Sequence, residues 1–227
     1  MGRKLFITGT GTDVGKTYVT ALIAKKLQDA GLKVAYYKAA MSGNARRPDG
    51  TLIPGDAVAV KETARLRQEL AEMCPYVYEN AFSPHLAAQV EGGPVSMEVV
   101  KKGFGTLADR YDYVVMEGSG GIVCPLRAGG KVLLLEDVIR ELEMSCLIVA
   151  NSGLGAINSV ALTVFYLRSK NIPVKGVIFN RFHSGDPIEE DNLRMCELLT
   201  GVRTAACVQD GALELPLDAA GLASLFD

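Results

Sequence analysis

Short apolar runs alternate along this chain with longer stretches in which apolar positions recur every three or four residues. The runs Leu5–Thr8, Lys33–Tyr37, Tyr113–Met116, Cys146–Ala150 and Val174–Phe179 read as strands, and Arg203–Val208 as a final one. Helical periodicity covers Lys16–Ala30, with Gly31 as its closing glycine, and a stretch from Gly55-Asp56 to about Glu72 beyond a polar loop at 42–54. Ser83-Pro84 reads as an N-cap with proline at the first helical position. Further helices are expected at Ser96–Arg110, Val132–Glu143, Gly155–Lys170 and Glu189–Leu199. Strands this apolar are buried on both faces, which calls for parallel pairing with helices on either side.

Composition narrows the picture. A 48 % hydrophobic chain of 227 residues can fill one large core, and neither repeats nor linkers divide it. The net charge of −2, without long runs of one sign, points away from nucleic acid or a membrane surface as partner. No apolar stretch reaches the ~18–20 residues of a membrane span. Met1-Gly2-Arg3-Lys4 leads directly into a strand without signal-peptide architecture, and Phe6 stands where myristoylation needs Ser or Thr. The five cysteines are scattered without a C-x-x-C pair, so a reduced, cytoplasmic protein is expected. His85 and His183 are expected to be structural.

The chemistry sits at the strand ends. After the first strand, Gly9-Thr-Gly-Thr-Asp-Val-Gly-Lys-Thr17 forms a glycine-rich turn opening into a helix. Such a turn aims backbone N–H groups at phosphates, and the helix dipole adds to them. Lys16 would reach the β- and γ-phosphates, and the Thr17 hydroxyl would ligate Mg²⁺. The strict motif places its first glycine at position 10, where Thr10 stands between Gly9 and Gly11. The expected fold is therefore one three-layer α/β domain over residues 1–227, of P-loop NTPase type, with a mainly parallel central sheet flanked by helices. In such sheets ligands bind beyond the carboxyl ends of the strands. Lys38 follows the second strand and can stabilise charge on a transferring phosphoryl group. Asp56 opens a helix, and Glu117 ends an apolar strand; together they supply oxygen ligands for Mg²⁺ alongside Thr17. Gly118, Ser119 and Gly120 offer backbone N–H groups beside Glu117. Asn180 ends another strand, where its amide reads a base edge or satisfies loop backbone.

At this point the chain resembles the ATP-dependent dethiobiotin synthetases. The likeness rests on the 9–17 turn, Tyr37-Lys38 through Ser42-Gly43, Gly55-Asp56-Ala57, Ser83-Pro84-His85, Glu117 through Gly121, and Gly155 through Asn158. The resemblance implies closure of a cyclic urea on 7,8-diaminononanoate with CO₂, ATP and Mg²⁺, through a carbamate and a carbamic–phosphoric anhydride. It implies catalytic roles for Lys38 and Lys16, and diamine contact at Ser42. The phosphates would be held by Thr12, Asp13, Val14, Gly15, Lys16, Thr17 and Tyr18, and the metal by Thr17, Asp56 and Glu117. It also implies a homodimer, in which Gly155 and Asn158 of the partner chain accept the substrate carboxylate at a helix N-terminus. Ala39 stands where the family often has proline, and Met41 is unusual beside the substrate. The tail from Cys207 to Pro216 matches the family's nucleotide-contacting turn poorly.

The competing reading is a nucleotide-switch ATPase of the partitioning and site-placement kind. Those proteins usually carry a lysine just after the first loop glycine, and here that position is Thr10. Ligases that amidate cobyrinate usually need a further glutaminase domain, for which the chain has no room.

Overall fold

A computed structural model describes residues 2–227; Met1, the first residue of the expected domain, lies outside them. The chain runs β1 (Arg3–Gly9), α1 (Lys16–Asp29), β2 (Val34–Lys38), α2 (Gly55–Ala64), α3 (Leu70–Met73), α4 (Pro84–Glu91) and α5 (Met97–Arg110). There follow β3 (Tyr113–Glu117), β4 (Pro125–Arg127), β5 (Leu133–Leu134), α6 (Leu135–Glu141), β6 (Cys146–Asn151) and α7 (Ala156–Ser169). The chain continues with β7 (Val174–Asn180), α8 (Pro187–Thr200), β8 (Thr204–Val208) and α9 (Ala219–Ala223). Six strands form one parallel sheet in the order β2-β3-β1-β6-β7-β8, and β4 and β5 form a separate antiparallel pair.

Period-two alternation divides the core into two layers. Leu5, Ile7, Tyr36, Val115 and Val149 face α1, α2 and α9, whereas Phe6, Tyr37, Met116 and Ile148 face α5, α6, α7 and α8. Each such side chain removed from water contributes about 1.5–3 kcal/mol, so the layers hold the strands in register. The order in which strands are added reverses at β1, with β3 on one flank and β6 on the other. That switch point leaves a crevice at the carboxyl ends, directly over the phosphate turn. No helix among the described residues is long and apolar enough to cross a membrane.

The structure redraws some expected boundaries. The helix expected to run to Glu72 stops at Ala64, because Arg65 takes a left-handed conformation (φ 53°), and only the short α3 resumes it. The helix expected from Val132 starts at Leu135, since Leu133 and Leu134 pair with β4 and the Asp137 carboxylate accepts the Leu134 N–H at 2.9 Å. Helix α8 begins at Pro187, two residues early, because Asp186 caps it by accepting the N–H groups of Ile188 and Glu189. Ser83 precedes Pro84 as expected, but its hydroxyl bonds His85 Nδ1 (3.0 Å) instead of capping the backbone. Helix α9 had no counterpart in the sequence pattern. All five cysteines are free thiols, four of them buried.

Candidate active site

Strand register assembles the charged centre. Glu117 of β3 is the pairing partner of Ile7 on one side and of Lys38 on the other. The carboxylate and the ammonium therefore meet at the carboxyl edge of the sheet, next to the turn that follows β1. Lys38 Nζ donates to Glu117 Oε1 at 2.7 Å and to Asp56 Oδ2 at 2.6 Å. The Glu117 side chain is fully buried, that of Lys38 nearly so, and that of Asp56 is 41 % exposed. Thr17 Oγ1 donates to the same Glu117 Oε1 at 2.8 Å, and Tyr36 Oη donates to Oε2 at 3.1 Å.

The turn itself is shaped by Gly15, the N-cap of α1, at φ 88° and ψ 29°. A Cβ there would stand 2.0 Å from Asn180 Nδ2, so glycine is required by space as well as by backbone. No side chain caps α1. Its first N–H groups, which have no partner within the helix, are thereby left to an anion. Lys16 curls back over the turn, and its Nζ donates to the Gly11 carbonyl at 2.8 Å. Burial pushes the Lys16 ammonium below its ordinary value, against the raising influence of Glu117. For Lys38 burial acts in the same direction, but the Glu117 and Asp56 carboxylates outweigh it and hold the ammonium above its ordinary value.

Of the expected residues, Thr12, Asp13, Gly15, Lys16, Thr17, Lys38, Ser42, Asp56, Glu117, Ser119 and Gly120 line one cavity of about 300 Å³. Six others stand elsewhere. Val14 is buried under the turn, and its carbonyl accepts from Asn180 Nδ2 at 3.0 Å. Asn180 therefore supports the turn from behind, the backbone alternative of its two readings, and is absent from the cavity wall. The Gly118 N–H donates to the Ile7 carbonyl at 2.9 Å, which extends the β1–β3 ladder and withdraws that group from phosphate. Tyr18 hydrogen-bonds the Ala212 carbonyl, which draws the tail segment alongside α1. Gly155 begins α7 in the left-handed region (φ 88°), uncapped by any side chain, and neither it nor Asn158 lines the cavity of this chain.

Among the contributors the structure adds, Arg181 was not expected at all, Met41 was expected only as an unusual neighbour of the substrate, and Ser119 was expected for its backbone alone. Met41 lines the cavity, with its backbone bonded to Tyr76 and Tyr78. Ser119 Oγ donates to the Ala40 carbonyl at 2.9 Å and ties the turn after β3 to the loop after β2. Arg181 Nη1 donates to the Asp13 carbonyl at 3.1 Å, bracing a residue that is itself at φ 60°. His183 is structural, as expected: its Nδ1 lies 2.9 Å from Glu189 Oε1, and Glu189 Oε2 accepts the Ser152 hydroxyl at 2.6 Å. The Lys38–Glu117 pairing had a legible signal, since both residues terminate apolar runs. Ser119, Met41 and Arg181 act through loop contacts that no periodicity encodes.

The donor set suits a divalent cation shared with a ligand. Two carboxylates converge on a single ammonium nitrogen, with a hydroxyl bonded to one of them. Among the described residues no group of three His, Cys, Asp or Glu side chains forms a cage of its own. Mg²⁺ is commonly held in this way, by one or two carboxylates with phosphate oxygens and water completing the shell.

A family model described as an AAA domain matches residues 3–212. The chain is 46 % identical over 228 residues to the ATP-dependent dethiobiotin synthetase BioD of Brachyspira hyodysenteriae, covering 100 % of each chain. It is 45 % identical over 208 residues to the protein of that name from Clostridium perfringens, covering 92 % of this chain and 91 % of the relative. With the Clostridium botulinum Loch Maree protein the identity is 41 % over 219 residues and 96 % of each chain. Among solved structures, chloroplast FtsY from Physcomitrella patens has a TM-score of 0.54 at 17 % identity, covering 100 % of this chain and 66 % of that one. The MinC:MinD cell division complex of Aquifex aeolicus has a TM-score of 0.57 at 16 % identity, covering 92 % of this chain and 82 % of that one. Similarity at that level concerns the fold alone.

Proposed function

The chain belongs to the family of ATP-dependent dethiobiotin synthetases, ATP-dependent cyclo-ligases of biotin biosynthesis, and from that premise we propose how its residues carry the reaction. The substrate is 7,8-diaminononanoate. One uncharged amine captures CO₂ and loses a proton, giving a carbamate. A carbamate oxygen attacks the γ-phosphorus of ATP and expels ADP. The second amine then attacks the carbonyl carbon of the mixed anhydride, phosphate leaves, and the urea ring closes. Because both amines belong to one molecule, the last step has the advantage of tethered reactants.

The difficulty lies in bringing a carbamate anion to a phosphate anion. Two unit charges at ~4 Å repel by about 4 kcal/mol at an effective dielectric constant near 20. The observation that carries the proposal is the meeting of Lys38 and Glu117 as register partners beside the phosphate turn. On this reading a buried ammonium, kept charged by the Glu117 and Asp56 carboxylates, would stand where the two anions converge. Lys16 supplies a second ammonium from the turn, and the uncapped N-terminus of α1 supplies N–H donors for the phosphates. Thr17, Asp56 and Glu117 would hold Mg²⁺, which when bound supplies Lewis-acid neutralisation of phosphate charge. Ser42, which shares the cavity wall with Lys38, would contact the diamine.

The substrate carboxylate is assigned to a second copy of the chain. Leu154 is 90 % exposed, and Leu162 and Phe165 extend an apolar stripe along α7 from the uncapped helix start at Gly155. A homodimer formed through this face would cover the stripe and bring the partner copy's α7 N-terminus, with Gly155 and Asn158, to the mouth of the cavity. There the helix dipole favours a carboxylate. Mass spectrometry after incubation with 7,8-diaminononanoate, bicarbonate, Mg²⁺ and ATP tests the proposal. A new species heavier than the diamine by one carbonyl less two hydrogens supports it. Phosphate release indifferent to the diamine, with no such species, overturns it.

A further inference from the structure

Glu117 has two carboxylate oxygens, and the roles assigned so far concern only Oε1. Thr17 and Lys38 both donate to Oε1, at 2.8 Å and 2.7 Å. Oε2 accepts from the Tyr36 hydroxyl at 3.1 Å. Strand geometry brings this about. Residues 34, 36 and 38 share one face of β2, and Tyr36 pairs with Val115, two residues before Glu117 on β3. Two residues of strand rise by about 6.6 Å, and a tyrosine side chain lying along the sheet spans a similar length. Its hydroxyl therefore arrives level with the carboxylate.

Tyr36 is itself clamped. Strand β2 is at the edge of the sheet, and the side-chain amide of Gln68 takes the place of the missing neighbour. Gln68 Oε1 accepts the Tyr36 N–H at 2.8 Å, and Gln68 Nε2 donates to the Tyr36 carbonyl at 2.9 Å. Gln68 is 1 % exposed and Tyr36 wholly buried, so neither swings into water. Thr17 and Lys38 line the cavity, within reach of a ligand, whereas Tyr36 is buried and does not line it.

We propose, on the reading of Glu117 given above, that Tyr36 is a positioning residue. It pins Oε2 so that Oε1 remains directed at Thr17 and at the cation position after Lys38 has moved to the substrate. A tyrosine serving only as core filler would leave cation binding untouched when its oxygen is removed. The test is Mn²⁺ binding in the presence of ADP, followed by electron paramagnetic resonance, alongside steady-state turnover. Tyr36→Phe should weaken Mn²⁺ about tenfold and lower kcat by a similar factor, as expected for losing a hydrogen bond to a charged group. ADP affinity without metal, and KM for the diamine, should hold. In a Glu117→Gln background the same change should add nothing, because Tyr36 acts through that carboxylate. With 4-aminophenylalanine installed in place of Tyr36, a donor at similar reach should keep wild-type binding.

Unchanged Mn²⁺ binding by Tyr36→Phe, or equal losses in both backgrounds, overturns the proposal while leaving the role of Glu117 intact. Wild-type Mn²⁺ binding by Glu117→Gln overturns the reading of Glu117 and this proposal with it. If Tyr36→Phe does not fold, the amino variant decides: wild-type binding supports the proposal, and a tenfold loss in folded protein overturns it.

Discussion

Gly15→Ala probes the turn at its tightest point, and its cost divides into two separable parts. A side chain at φ 88° is strained by about 1–2 kcal/mol, partly offset by about 0.4–1 kcal/mol from reduced freedom of the unfolded chain. The larger part is steric. The added Cβ would lie 2.0 Å from Asn180 Nδ2, so the amide must withdraw by roughly 1 Å to reach even the closest contact real Cβ atoms show. That movement breaks the 3.0 Å bond from Nδ2 to the Val14 carbonyl in a buried setting, at about 1–3 kcal/mol. The net expectation is about 2–4 kcal/mol, or a fall of roughly 5–15 °C in unfolding midpoint at this chain length. Urea unfolding would measure it, combined with Asn180→Ala in a double-mutant cycle. With Asn180 removed the steric part vanishes, and Gly15→Ala should cost about 1 kcal/mol or less. An equal cost in both backgrounds would refute the reasoning, as would a Gly15→Ala protein as stable as wild type.

Lys38→Met should lower kcat by about 10²–10³, the rate equivalent of the roughly 4 kcal/mol repulsion it screens, and stopped-flow detection of phosphate release would measure the loss. The His183–Glu189 pair predicts a pH window. Hydrogen bonding and charge from Glu189 raise the imidazole above 6.5, so its contribution is full below 6.5 and is lost as pH rises through the raised value. Burial alone would raise Glu189, but the Ser152 hydroxyl and the His183 N–H hold it below 4.5, and its contribution is lost as pH falls through that depressed value. The pair is therefore fully formed between 4.5 and 6.5, and Glu189→Gln should return the His183 titration, followed by NMR, toward 6.5. Leu162→Asp, on the exposed face of α7, should shift sedimentation from dimer to monomer and abolish ring closure. A wild-type chain that sediments as a monomer at assay concentration contradicts the dimer.

What was legible in the sequence followed from periodicity and from strand ends. The apolar runs at β1, β3, β6 and β7 demanded burial on both faces, which fixed the parallel sheet and hence the edge at which Lys38 and Glu117 had to emerge. Tyr36 was legible in principle, two residues before Lys38 and so on the same face, once the register with β3 is known. Arg65 was not: a non-glycine residue in the left-handed region ends α2 without any of the usual stop signals. The stretch after the Gly118–Gly121 turn was legible as a short β-like excursion, but its antiparallel pairing of Pro125–Arg127 with Leu133–Leu134 was not. Asn180 shows the limit most clearly. The same amide serves a base edge or a backbone carbonyl equally well, and only the approach of the 9–17 turn to within hydrogen-bond distance selects the carbonyl. Gly155 and Asn158 lie beyond the reach of one chain's geometry, because the function assigned to them needs a second copy.

The central claim is that the Lys16, Lys38 and Glu117 cluster brings a carbamate oxygen onto the γ-phosphorus. Transfer of label tests it most directly: bicarbonate carrying ¹⁸O, incubated briefly with 7,8-diaminononanoate, Mg²⁺ and unlabelled ATP. If the anhydride forms, the released phosphate carries one oxygen from the labelled carbon dioxide. Urea formation with phosphate that carries no label would contradict the account.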